Sequence, residues 1–227
     1  MREVLAADAP FDIVDAVFAI SCRSLPVDHA YALSQAILAA LPWFAAEPGA
    51  GLHTIHGAAS GSGWQRPEGE HAMLQLSQRA KLALRLPRRR LDDAAVMIGR
   101  TLQVANQPLR VDSLSVRPLS RITTLFSRSV VLAATNNDAA DDESEFLAAA
   151  TRELGMLGID VTRMLCGRLT PVATPARFFQ TRSLMLAGLK PEHALALQRH
   201  GLGAERRLGC GLFIPHKDIA DLRTGSD

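Results

Sequence analysis

Residues 191–217 read PEHALALQRHGLGAERRLGCGLFIPHK, and this run decides how the chain folds. Pro191 suits the first position of a helix and Gly201 the position just past its end, so 191–200 reads as a helix. Four glycines and the adjacent pair Arg206 and Arg207 follow, and then GCGLFIP (209–215), an apolar run that reads as a strand. Working backward, ARFFQTRSLMLAGL (176–189) and DVTRMLCGRL (160–169) are strand-like. ESEFLAAATRELGMLG (143–158) is a helix buried through Phe146, Ala150, Leu154 and Leu157, and SRSVVLAA (127–134) is a strand. The order is βαββαβ.

The first half repeats it. FDIVDAVFAIS (11–21) is a strand with Val14, Phe18 and Ile20 on one face. A helix is expected from Asp28 as N-cap, with Leu33, Ile37, Leu38 and Leu41 buried, stopped by Pro42 and the EPGAG turn. GLHTIHGAA (51–59) and HAMLQLSQRAKLALRLP (71–87) read as strands, LDDAAVMIG (91–99) as a short helix ending in Gly99, and LQVANQPLRVDSLSVRP (102–118) as a strand or hairpin. A βαββαβ unit is the ferredoxin-like (RRM-like) split βαβ, a four-stranded antiparallel sheet with two helices on one face. The expectation is an α+β chain of two such domains in tandem, 1–120 and 121–227, joined near Pro118 to Ser127. Each leaves one sheet face open, and such faces often hold RNA.

Charge is segregated. Arg79 to Arg128 holds eleven basic residues against three acidic, and Asp160 to Lys217 nine against three, on a chain of net charge +2. Separated basic surfaces on a nearly neutral protein point to a polyanionic partner. No apolar run approaches a membrane span, and the N-terminus is unlike a secretory signal. Cys22, Cys166 and Cys210 are too scattered for a zinc site or a disulfide framework, which suggests a reducing cytoplasm.

A doubled ferredoxin-like fold with a glycine-rich loop between the last helix and last strand resembles the repeat-specific endoribonucleases that cut precursor CRISPR RNA. LPVDHAYALSQAIL (25–38) and GLHTIHG (51–57) match the family's proline-started helix and its leucine-histidine pair. GLHTIHGAASGSGWQRP and RSLMLAGLKPEHALALQRHGLGAERRLGCGLFIPHK are most similar to the myxobacterial-type variant.

The resemblance implies cleavage without a metal or other cofactor, in which the ribose 2′-OH attacks the adjacent phosphate and leaves a 2′,3′-cyclic phosphate and a 5′-OH. It also implies a repeat stem-loop as partner and retention in an interference complex with other subunits. A non-catalytic RNA-binding subunit of such a complex is the alternative.

That reaction needs a base, an acid and positive charge around the phosphorane-like transition state, and histidine suits the first two roles. His53 matches the leucine-histidine position, while His29 stands where other members place theirs. A pair drawn from His29, His53 and His56 would supply acid and base, with their assignment open. On a continuous strand, His53 and His56 should point to opposite faces. Tyr31, two residues past His29, is a candidate to position the ribose.

For RNA binding the candidates are Arg206 and Arg207, with Gly203, Gly209 and Gly211 letting backbone approach phosphate closely. Arg88, Arg89 and Arg90 are placed to grip a stem, Trp64 to stack a base, and Lys217 to contact phosphate. Two-histidine phosphoesterases are excluded, because no histidine has Ser or Thr two positions on. Ordinary RNA-recognition modules need strand aromatics that this chain, 5% aromatic, does not show. No carboxylate cluster stands beside the histidines to suggest a metal nuclease.

Overall fold

The computed structural model describes residues 12–56, 69, 72–132 and 142–216. The positions of Trp64 and Lys217 lie outside them. Its strands are β1 (Ile13–Ser21), β2 (Ser24–Pro26), β3 (Gly51–His53), β4 (Met73–Gln75), β5 (Lys81–Pro87), β6 (Thr101–Val104), β7 (Gln107–Pro118), β8 (Leu125–Val130), β9 (Arg163–Ala173), β10 (Phe178–Ala187) and β11 (Ile214–Pro215). The α-helices are α1 (Ala30–Ala40), α2 (Leu91–Ala95), α3 (Glu143–Met156) and α4 (Pro191–His200).

Among the described residues the two larger antiparallel sheets are ordered β3-β5-β1-β7-β6 and β11-β8-β10-β9. In each, the first strand of the unit is central and lies between the third and the fourth, which is the split βαβ arrangement expected from the sequence. One core gathers Val14, Phe18, Leu33, Ile37, Leu84 and Val111 between the first sheet and its helices. A separate one gathers Val130, Phe146, Leu154, Leu184, Leu197 and Phe213.

Local chemistry explains the elements. Val14, Ala16, Phe18 and Ile20 alternate on the core face of β1 and are all at most 4% exposed. Asp142 caps α3 by accepting from the Ser144 and Glu145 amides. Ala105 and Asn106, both at positive φ, turn the chain between β6 and β7, so the 102–118 stretch is a hairpin.

Several expected elements are shorter or divided. The 71–87 stretch is two strands broken by a turn at Gln78 and Arg79, and β4 pairs with the unforeseen β2 as a separate ribbon. The 51–59 strand stops at His53. The last strand keeps only Ile214 and Pro215 in register with β8, because Gly209 to Gly211 are used in the preceding loop. Helix α1 starts one residue later than expected, with His29 rather than Asp28 as N-cap.

The face of the first sheet away from its helices is not apolar. Cross-strand register places Arg85 opposite Asp15 and Asp15 opposite Arg117, and residues paired this way project to the same face. Arg85 is wholly buried and Asp15 3% exposed. Arg85 donates from Nε and Nη2 to the two Asp15 carboxylate oxygens, at 2.8 and 3.1 Å. Its Nη1 reaches the second unit, donating to the carbonyls of Gln198 on α4 and Phe213 before β11, at 3.0 and 2.8 Å.

Gln198 also binds Ser120, between the two sheets, accepting from its amide and donating to its carbonyl. The small apolar cluster of Ala30, Val172, Leu208 and Cys210 completes the seam. Arg85→Ala leaves an ionised carboxylate buried with too few donors. It is expected to lower unfolding stability by about 3–5 kcal/mol, read by urea denaturation, and a loss below about 1 kcal/mol would show that the pair does not hold the seam.

Candidate active site

Strand β3 is an edge strand whose Gly51 pairs with Arg85, so His53, two residues on, projects to the same face as Arg85, Asp15 and Arg117. Its Nε2 lies 3.5 Å from Asp15 Oδ1, too long for a well-formed hydrogen bond, and this buried nitrogen has no hydrogen-bond partner. The His53 side chain is 16% exposed. Burial lowers its pKa, the neighbouring Asp15 opposes that shift, and Arg85 and Arg117 reinforce it.

Burial would raise the Asp15 pKa, but His53 and the Arg85 guanidinium outweigh this and hold it well below the usual carboxylate range. Arg117 adds a second ion pair to Asp15 at 3.2 Å from its exposed side of the sheet.

His56 does not point away from His53. Because the strand ends at His53, residues 54–56 leave pleated geometry, and both imidazoles line one cavity of about 190 Å³. Lys81, Arg117 and Arg128 line it too, with Phe126 and Ile214 from the second sheet. The Thr54 hydroxyl lies 3.2 Å from His56 Nε2.

His29 is buried rather than a solvated helix-start residue. Its Nε2 accepts from the Ile55 amide at 3.1 Å, so its proton is on Nδ1, which donates to the Pro26 carbonyl at 2.8 Å. It therefore fixes the segment that carries His56. Tyr31 is separated from the histidine pair. It lines a larger cavity of about 680 Å³ and, like Val131 and Phe179, packs against the cluster of Ala30, Val172, Leu208 and Cys210.

The glycine loop closes on the protein itself. Gly203 has φ 74°, and a Cβ there would stand 1.9 Å from the Val131 carbonyl oxygen. Gly211 has φ 67°, and its Cβ would stand 2.1 Å from that of Leu202. Gly203 demands glycine because the loop backbone lies against Val131, where the Ala204 N–H donates, and Gly211 because the two ends of the loop meet, the Leu202 N–H donating to the Gly211 carbonyl; the Gly211 N–H donates to Ser129. Gly209 packs against Thr54, beside the histidine segment.

Arg206 donates to the His200 carbonyl and, at 2.9 Å, to that of Gly49, while Arg207 donates to the Ala45 carbonyl. Both guanidiniums thus bridge the loop to the turn after α1, and both rim the larger cavity with Arg177. Burial, with Arg85 nearby, pushes the Arg206 pKa down to about 10, which leaves it charged at neutral pH.

The triple arginine is similarly engaged. Arg88 pairs with Asp12, Arg89 with Glu47, and Arg90 with Glu47 and Asp93. Among the described residues, no three His, Cys, Asp or Glu side chains group as a metal would require.

The family model described as Cas6 Crispr matches residues 14–218. The chain belongs to the Cas6 family. It is 30% identical over 202 residues to the CRISPR-associated endonuclease Cas6 of Myxococcus xanthus (strain DK1622), covering 89% of this chain and 81% of that protein. Among solved structures it is similar to a CRISPR associated protein Cas6, with TM-score 0.61, 10% identity and 90% and 99% of the two chains covered. It is also similar to a Cas6-related protein from Pyrococcus furiosus, with TM-score 0.55, 11% identity and 89% and 98% covered. At these identities the solved structures show the shared fold.

Sequence reasoning did not single out Asp15, Arg85, Lys81, Arg117 or Arg128 in this Cas6 chain. A signal for the first two was present: one acid inside the apolar run IVDAVFAIS (13–21) and one arginine in KLALRLP. An ionised group in a central strand needs a partner, so each signals that an opposite charge is near it without saying which.

Because His53 is held neutral, its folded pKa lies below the unfolded value of about 6.5. Its contribution to stability is full above that value and falls away as pH drops through the folded pKa. Replacing His53 with Gln should flatten the loss of melting temperature below about pH 6.5, as followed by thermal denaturation across pH. A wild-type slope in that variant would place the titration elsewhere.

Proposed function

We propose that this protein is a metal-independent endoribonuclease that binds CRISPR repeat RNA and cuts precursor CRISPR RNA into guide units. One observation carries the reading: two imidazoles, His53 and His56, share a small cavity with the cations Lys81, Arg117 and Arg128. This set suits transesterification by the neighbouring 2′-OH.

His53, kept neutral by burial, is the base. It takes the 2′-OH proton as the O2′–P bond forms. His56, beyond the end of the strand, is the acid that protonates O5′ as the P–O5′ bond breaks, leaving a 2′,3′-cyclic phosphate and a 5′-OH. Lys81, Arg117 and Arg128 face the phosphate oxygens, where charge builds in the transition state. His29 takes no proton in this scheme, since both ring nitrogens are engaged, and it holds residues 54–56 in place.

The larger cavity, rimmed by Arg177, Arg206 and Arg207 and lined by Tyr31, is the surface assigned to the repeat stem. Arg206 and Arg207 contribute first by holding the loop in its place against the first unit. The reading places the protein in the cytoplasm, where it is free to remain on its product as part of an interference complex.

The test is cleavage of the host's own repeat RNA in excess EDTA. Wild type should cut. His53→Ala and His56→Ala should each lose about 10²- to 10⁴-fold in rate while still binding the RNA in a gel-shift assay. Tight binding with no cut by the wild type would leave only the non-catalytic subunit standing, and activity abolished by EDTA would remove metal independence.

A further inference from the structure

We propose that Asp15 is the positioning residue for His53: its carboxylate, locked by Arg85 in the seam between the two units, orients the imidazole and keeps the ring proton on Nε2. This rests on the reading of His53 as the base. Three observations converge on it. Asp15 is 3% exposed in the central strand of the sheet, and its charge is held there on the same face as His53. His53 Nε2 is buried, has no hydrogen-bond partner, and has Asp15 Oδ1 at 3.5 Å. Finally, Arg85 grips both Asp15 oxygens and is itself anchored on two carbonyls of the second unit, so the carboxylate cannot rotate freely.

With its proton on Nε2, facing the carboxylate, His53 has its lone pair on Nδ1. The 2′-OH proton passes to Nδ1 as the O2′–P bond forms. The resulting imidazolium keeps Nε2–H against Asp15, which stays ionised and takes no proton. His56 supplies the proton for O5′ as the P–O5′ bond breaks. A gap of this size closes by a small shift of the ring, and catalytic hydrogen bonds commonly tighten only once substrate is in place.

Among the described residues, the charged groups facing His53 are Asp15 on β1, Lys81 and Arg85 on β5, Arg117 on β7, Arg128 on β8 and His56 beyond its own strand. Asp15 is the one anion among them. Its charge is divided between fully buried Arg85 and Arg117, whose side chain is 61% exposed, so the share held by Arg117 is the one that can be released without breaking the seam.

The experiment uses full-length Asp15→Asn and Arg117→Gln. Three readouts are taken: the His53 titration by NMR without RNA, kcat on saturating repeat RNA across pH, and RNA affinity. Asp15→Asn should lower kcat by about 10²- to 10⁴-fold with RNA affinity unchanged, and move the acidic limb of kcat to lower pH. Arg117→Gln removes a cation facing the pair, so it should move the limb and the His53 titration together to higher pH.

A folded Asp15→Asn protein with wild-type kcat and limb would overturn the inference. Should Asp15→Asn fail to fold, Arg117→Gln decides alone, and an unmoved limb and titration there would overturn it. Full activity in His53→Ala would instead sink the reading of His53 as base. Loss of activity in His53→Ala beside a wild-type Asp15→Asn profile would sink only the role of Asp15.

Discussion

The buried Arg85–Asp15 pair is the constraint around which the rest of the molecule is arranged. Taking two charges out of water is expensive, and the cost is recovered only when geometry and further hydrogen bonds are good. Here one guanidinium edge is bidentate on the carboxylate, and the remaining donor is shared by two carbonyls of the second unit. Sliding one sheet relative to the other would strand a wholly buried cation. The seam is therefore specified in position as well as stabilised, which an apolar contact such as Ala30, Val172, Leu208 and Cys210 would not do alone. Arg206 repeats the device nearby, with a partly buried guanidinium donating to carbonyls on both sides of the seam.

The candidate site follows from that placement. Holding the second sheet against the end of β3 encloses a small cavity between an edge strand and the Phe126 and Ile214 rim. The edge strand contributes His53 at its last paired position, and the chain then leaves the sheet, which lets His56 return to the same side. His29 keeps that departure in shape by accepting the Ile55 amide. Cations from three different strands, Lys81, Arg117 and Arg128, gather where the imidazoles are, so the segregation of basic residues along the chain becomes a local field. In a site partly screened from water, such fixed charges act more strongly on a phosphate than they would on open surface.

The glycine loop serves the same assembly. Its backbone is drawn so closely against Val131 that a side chain at Gly203 would collide with the Val131 carbonyl oxygen, and its two ends meet so closely that one at Gly211 would collide with that of Leu202. The arginines it carries bind the turn after α1. What looks from composition like a loop open to an anion is first a clasp between the two units. Whatever it offers RNA, it offers from a fixed position.

Much was legible in the chain itself. The alternation in 11–21, the apolar stripes of 30–40 and 143–156, and the Pro191 and Gly201 punctuation are local signals, since each depends on residues within a few positions. They determined both βαββαβ units and placed His53 at a strand and Gly203, Arg206 and Arg207 in a loop. Strand ends were less legible: β3 stops after three residues and 71–87 divides, because pairing partners rather than propensity decide where a strand ends. The partners of Asp15 and Arg85 lie beyond any local signal, as they are set by register between strands about seventy residues apart. Only the tertiary structure brought His53 and His56 to one cavity, removed Tyr31 from it, and engaged Arg206 and Arg207 with carbonyls of the first unit. The physical reason is that which face a side chain presents is local, whereas what covers that face depends on packing between two separately cored units.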